Sequence, residues 1–270
     1  MSLPIQLLST DFDGTILDWE LDVVAAQPFF DLISDWKKEG LIWAINTGRS
    51  IPQLEEALSA PNFPIQPDYI ITTERAVHRR GPNSWEDFGD WNHHCNDAHQ
   101  ALNLEAASIY RRLTDYARKQ IGLMLHTTGD AVEGIIAANE AQMDETVALL
   151  EEWRRELPDL NWQRNSVYLR FCHIDYHKGS ALLELARLLG ISREQTFAAG
   201  DNHNDIPMLD GTAAKWVACP ANSIAEVKST VEKAGGYVAT KIAGLGVAEA
   251  LLQCPWPIED RQPETSPFDA

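Results

Sequence analysis

The chain has 270 residues, 44% hydrophobic and 23% charged, an ordinary folded-protein make-up with room for one large core or two modest ones. Its formal charge of −18 excludes nucleic acid and anionic membrane as partners, because both need a cationic surface. The same charge is an obstacle to handling any anion, unless local cations overturn the general field.

Met1-Ser2-Leu3-Pro4-Ile5 carries no basic segment leading into an apolar one, so no secretory signal is expected. Residues 5–9 form a short apolar run that reads as a buried strand and stops at an acid-rich turn. Residues 21–38 read as a helix, with Val24, Phe29, Leu32, Ile33 and Trp36 near helical spacing and Gly40 ending it. A second buried strand is expected at 41–45, a loop at Thr47-Gly48-Arg49-Ser50-Ile51-Pro52, a helix at 53–58 and a third strand at 69–71. This alternation predicts a parallel sheet flanked by helices.

The rhythm changes between Ala76 and Phe171. Two longer helices, 98–120 and 141–156, are expected there among paired strands that include 123–126, 134–138 and 167–171. After Lys178 the alternation returns: helix 179–189, strand 196–199, short helix 205–209, strand 215–218, helix 224–234 and a last helix ending near 252. The tail from Pro255 holds four prolines and is expected to pack poorly. The fold class is therefore α/β: a Rossmann-like parallel sheet built from 1–75 and 175–270, interrupted by an α+β unit at 76–174. No apolar run reaches the roughly 20 residues that span a bilayer. Cys95, Cys172, Cys219 and Cys254 stand without C-x-x-C spacing, so reduced thiols in the cytoplasm are expected.

Asp11-Phe12-Asp13-Gly14-Thr15 directly follows the first strand. Residues two apart on extended chain point to one side, so both carboxylates can face a common site at the carboxyl end of the sheet. Two such acids repel unless a cation or a shared proton intervenes, which suits a hard metal and acid/base chemistry. An acidic surface turn is the plainer alternative. Thr47 and Gly48 follow the second strand, where a hydroxyl and amides at a helix entrance are good phosphate ligands; a simple strand-to-helix turn would read the same. Lys178 opens a helix and offers a compact positive charge, though an isolated lysine is ordinarily surface. Gly200-Asp201-Asn202-His203-Asn204-Asp205 follows a further buried strand and offers oxygen ligands for Mg²⁺, or equally an Asx-rich helix cap. The coincidence argues for a site: three such clusters each lie just beyond a buried strand, with the lysine between them in chain order.

In that order the four segments resemble the haloacid dehalogenase superfamily of phosphohydrolases, in its Cof-type branch with sucrose-phosphate-phosphatase-like enzymes. There a cap domain is inserted between the second and third motifs. The resemblance covers roughly residues 3–75 and 175–252. It implies Mg²⁺ as cofactor and hydrolysis of a small phosphorylated metabolite, a sugar phosphate being the expected class. Asp11 would be the nucleophile and Asp13 the acid/base, its backbone carbonyl also on the metal. Thr47 and Gly48 would hold the phosphoryl group, and Lys178 would neutralise it. Asp201 and Asp205 would complete the metal site, with Asn204 in support. Two alternatives use the same scaffold: a phosphomutase or phosphotransferase, and a catalytically silent binding protein. Thr73-Glu74-Arg75-Ala76 departs from the family's frequent Asn-Gly after the third strand, so substrate contacts there do not transfer. His93, His94, Cys95 and His99 suggest a soft-metal cluster, but lack defined ligand spacing. Trp85, Trp91, Trp153 and Trp162 read first as core, and Arg164 and Arg170 first as solvated surface. The oligomeric state is not legible from the sequence.

Overall fold

The computed structural model describes residues 3–18, 23–24, 27–60, 63–129 and 131–254. In chain order the strands begin with β1 (Leu7–Thr10), β2 (Leu17–Asp18), β3 (Val23–Val24), β4 (Ile42–Asn46) and β5 (Tyr69–Thr72). There follow β6 (Ala76–Arg80), β7 (Trp85–Asp87), β8 (Met124–Thr128), β9 (Ala131–Ile136), β10 (Leu160–Asn165) and β11 (Tyr168–His173). The last are β12 (Thr196–Ala199), β13 (Trp216–Cys219) and β14 (Tyr237–Val238). An eight-stranded sheet runs β14-β13-β12-β1-β4-β5-β6-β7. From β14 to β5 the pairings are parallel, and β6 and β7 close that edge antiparallel.

The central strands are apolar runs because both faces of a parallel sheet are covered. Leu8, Trp43, Ile45, Ile70 and Phe197 pack one face against Phe29, Phe30 and Ile33 of the helix Gln27–Lys38 and Val247 and Leu251 of the helix Ala243–Gln253. Leu7, Ala44, Ile71 and Ala198 turn to the other face and meet Ala181, Leu182 and Leu185 of the helix Lys178–Leu189. Neighbouring residues such as Leu7 and Leu8 thus serve opposite layers, as a pleat requires.

The second sheet, β10-β11-β9-β8, is antiparallel. Leu169, Phe171, Leu160 and Trp162 pack its one face on Ile109, Tyr110, Leu113, Met143 and Leu150. These come from the helices Ala107–Ala117 and Glu140–Trp153. Among the described residues, no helix is long and apolar enough to cross a membrane.

Several expected boundaries move. The helix expected at 21–38 begins at Gln27, with Pro28 in its first turn, while Val24 lies in β3; the residues between fall outside the described set. The helix expected at 98–120 is two, Trp91–Glu105 and Ala107–Ala117, meeting at Ala106. β10 was not expected, because Leu-Asn-Trp-Gln-Arg-Asn has little strand propensity and is a strand by pairing with β11. Residues 76–87, expected in the inserted unit, pair onto β5 and belong to the large sheet. The tail from Pro255 lies outside the described residues.

Candidate active site

Register alone brings three of the motifs together. Thr10 stands beside Ala199 of β12 on one side and Ile45 of β4 on the other. The residues that follow, Asp11, Gly200-Asp201 and Asn46-Thr47, therefore leave the sheet at one edge, on both flanks of β1 where the chain order reverses. Asp11 is pinned there by its N–H, which donates to the Ala199 carbonyl at 2.9 Å. The fourth motif arrives from the helix Lys178–Leu189: Asn46 Nδ2 donates to the Lys178 carbonyl at 3.0 Å, fixing the start of that helix beneath β4.

Lys178 is fully buried, and its Nζ donates to Asp11 Oδ1 at 2.8 Å and Asp205 Oδ1 at 2.6 Å. Asp205 Oδ2 accepts the backbone N–H groups of Asp201 (2.8 Å) and Asn202 (3.0 Å), so both its oxygens are engaged. Asp201 Oδ1 accepts from Thr15 Oγ1 at 2.7 Å. Gly14 sits at φ +81°, and a Cβ there would lie 2.4 Å from Asp201 Oδ2, so the turn after β1 can approach that carboxylate only as glycine. Asp11 Oδ2 is buried without a hydrogen-bond partner.

One oxygen from each of Asp11, Asp201 and Asp205 falls within 4.8 Å of the others. Burial pushes Asp201 up to about 7, helped by the charge of Asp205 and opposed by Thr15 and Lys178. Burial also raises Asp11 well above the carboxylate range, with Asp205, Asp201 and Asp13 adding to it against Lys178. Burial works against the charge on Lys178, but Asp11 and Asp205 outweigh it and hold the ammonium protonated. Crowded carboxylates facing one lysine, with an orphaned Asp11 oxygen, fit a divalent cation with hard oxygen ligands.

Asp13 is placed differently from its neighbours. Its carboxylate faces Arg49, with Nε to Oδ2 at 2.9 Å and Nη2 to Oδ1 at 2.6 Å, and is not among the three clustered acids. Thr47 is fully buried; its Oγ1 accepts the Arg49 N–H at 3.2 Å. The Gly48 carbonyl accepts from Arg170 Nη1 of β11 at 2.8 Å. Asn204 Nδ2 donates to Glu74 Oε1 at 2.8 Å.

Sequence reasoning assigned no role to Thr15, Arg49 or Glu74, and read Arg170 as surface. Glu74 was within reach: it follows β5, which is parallel to β4, so the rule that found the other clusters applies to it too. Arg49 and Arg170 owe their places to side-chain reach across the fold, which spacing does not reveal. The suggested soft-metal cluster is absent as such: His99 Nδ1 lies 2.7 Å from the Cys95 carbonyl and its Nε2 accepts the His173 N–H at 3.1 Å, leaving no ring nitrogen for an ion. All four cysteines are buried free thiols.

Residues 105–251, more than half of the chain, match the haloacid dehalogenase-like hydrolases, and the chain belongs to that family. It is 26% identical over 208 residues to a phosphoglycolate phosphatase of Methanoculleus marisnigri, covering 76% of this chain and 80% of that protein. The fold is that of the sucrose-phosphatase from Synechocystis solved with sucrose and phosphate (TM-score 0.67, 18% identity, 93% of this chain and 97% of that one). It is also that of a haloacid dehalogenase-like hydrolase from B. subtilis (TM-score 0.64, 16% identity, 93% and 100%).

Proposed function

We propose that the chain is a phosphoric monoester hydrolase that acts on a small sugar phosphate and uses Asp11 as its nucleophile. The observation that carries this is the asymmetry of Asp11: Oδ1 is anchored on Lys178, and Oδ2 is buried and unpartnered. Oδ2 attacks phosphorus and forms an acyl phosphate while the P–O bond to the leaving alcohol breaks. Asp13 protonates that alcohol, then takes a proton from the water that hydrolyses the aspartyl-phosphate. Arg49 holds the Asp13 carboxylate at this edge of the site through Nε and Nη2. Lys178 fixes Asp11 and offsets the phosphoryl charge, and the Thr47 hydroxyl and the Gly48 turn receive a phosphoryl oxygen.

Asp11 and Asp201, with the Asp13 carbonyl, would hold Mg²⁺; Asp205 contributes charge and orients Lys178 and the Asp201 loop. When bound, the ion supplies positive charge that lets a carboxylate meet a phosphate dianion. With the eight-stranded sheet, β6 and β7 included, as the core, the inserted unit acts as a cap. Its start lies past β7, and it closes through Arg170 on the Gly48 carbonyl and the Ser166 N–H on Asn202 Oδ1 at 3.4 Å.

Phosphate release should be measured over a metabolite panel with and without Mg²⁺, beside Asp11→Asn. Metal-dependent turnover that drops to background in the variant is expected; equal turnover by both proteins removes Asp11 from this role. Adding a sugar acceptor separates hydrolysis from transfer.

A further inference from the structure

We propose that Glu74 selects the non-phosphate half of the substrate by accepting hydrogen bonds from its hydroxyl groups, so that the site takes a neutral polyhydroxy phosphate in preference to a carboxylated one. This rests on the phosphatase reading above and deepens it.

Glu74 is 5% exposed, and the two oxygens of its carboxylate are unequal. Oε1 accepts from Asn204 Nδ2, while Oε2 is buried without a hydrogen bond, 3.7 Å from Arg170 Nη1. Asn204 Oδ1 is also buried and unpartnered. So is Oε1 of Gln163, which stands directly across the β10–β11 pair from Arg170 and therefore on the same face of the cap sheet. Buried acceptors without donors are costly, and such a group in a folded protein calls for a reason.

The backbone supplies an independent sign. Thr73 and Glu74 are consecutive non-glycine residues at φ +49° and +68°. Such conformations are costly for residues with a Cβ and persist where the surroundings impose them. Here the Thr73 N–H donates to the Arg49 carbonyl at 3.0 Å and the Glu74 N–H to the Thr47 carbonyl at 2.9 Å. The strained turn is thus stitched to the loop that receives the phosphoryl group, and it holds the carboxylate one short step from that position.

What this carboxylate can recognise follows from its neighbours. It is outside the group of acids that share a metal-sized space. A carboxylated substrate would bring a second anion against it, where the single guanidinium of Arg170 already faces the Glu74 charge at 3.7 Å. An ammonium would meet the Arg170 guanidinium. A hydroxyl group can donate to the orphaned Glu74 oxygen without adding charge.

The test is steady-state hydrolysis of a hexose 6-phosphate, phosphoglycolate and p-nitrophenyl phosphate by wild type, Glu74→Gln and Glu74→Asn, with melting temperatures to establish folding. Asparagine is at ease in the left-handed region, so the second variant serves if the first does not fold. Wild type should prefer the hexose phosphate over phosphoglycolate at least tenfold in kcat/KM. In the variants, the ratio of kcat/KM for the hexose phosphate over p-nitrophenyl phosphate should fall at least tenfold, with the discrimination against phosphoglycolate narrowing. Proportional losses on all three substrates, unchanged ratios, or a wild-type preference for phosphoglycolate overturn the assignment while leaving the phosphatase reading intact. No turnover of any substrate by wild type sinks that reading and this inference with it.

Discussion

On the proposed reading, Asp201 would tie stability to metal binding. Its carboxyl titrates at about 7 in the folded chain against 3.8 as the ordinary value, chiefly because it is buried. The folded state therefore binds more protons than the unfolded one between those values, and this group's contribution to stability is lost as pH rises from 4 to 7. The divalent cation proposed for this site would offset the same cost. Without metal, Asp201→Asn should raise the melting temperature at pH 7.5 by several degrees while changing it little near pH 4. Mg²⁺ should stabilise wild type more at pH 7.5 than at pH 5 and should stabilise the variant less. A variant that melts below wild type at pH 7.5, in calorimetry with EDTA, would mean that Asp201 carries no uncompensated charge. Gly14 gives a second residue-level expectation. Gly14→Ala combines an unfavourable φ with a Cβ 2.4 Å from Asp201 Oδ2, so it should displace that carboxylate. Activity should fall at least about tenfold, and the Mg²⁺-induced rise in melting temperature should shrink with it.

At the scale of elements, His99 joins the helix Trp91–Glu105 to β11. Its Nδ1 meets the Cys95 carbonyl and its Nε2 accepts from the His173 N–H, an arrangement available only to neutral imidazole. Burial, with Arg75 nearby, depresses its titration to about 4. The unfolded chain then takes up the proton first, so the stability this contact supplies is complete above about 6.5 and is lost as pH falls towards 4. The slope is opposite in sign to that of Asp201, so each is read as a difference between wild type and variant. His99→Gln should lower the melting temperature at pH 7.5 and flatten its decline between pH 6.5 and 4.5. An unchanged decline would assign the slope to other histidines, of which His78, His177 and His203 are also depressed by their partial removal from water.

For the whole molecule the governing number is the net charge of −18. On the proposed reading, a site that takes a phosphate dianion inside such a field would need Lys178, Arg49 and a bound cation to reverse the potential locally. The long-range field still repels the incoming substrate, and salt screens it over about 8–10 Å near physiological ionic strength. With Mg²⁺ saturating, kcat/KM for a phosphate dianion should therefore rise about two- to fivefold from roughly 10 to 150 mM NaCl. A decline would show that the substrate is electrostatically drawn in.

The sequence by itself determined which residues leave the sheet at one edge. Continuous apolar runs mark β1, β4 and β12 as buried parallel strands, and whatever follows such a strand emerges at its carboxyl end. Asp11, Thr47 and Asp201 were legible for that reason, and Lys178 by its order between them. Only the tertiary structure decided what those residues touch. That Asp13 faces Arg49, that Asp205 spends both oxygens on Lys178 and backbone amides, and that Arg170 reaches Gly48 all depend on side-chain reach between segments up to 122 residues apart. The strand β10 escaped for a related reason: its residues favour no element, and it became a strand only when β11 offered a partner. Local periodicity is written along the chain, whereas pairing and charge compensation exist only once distant pieces have met.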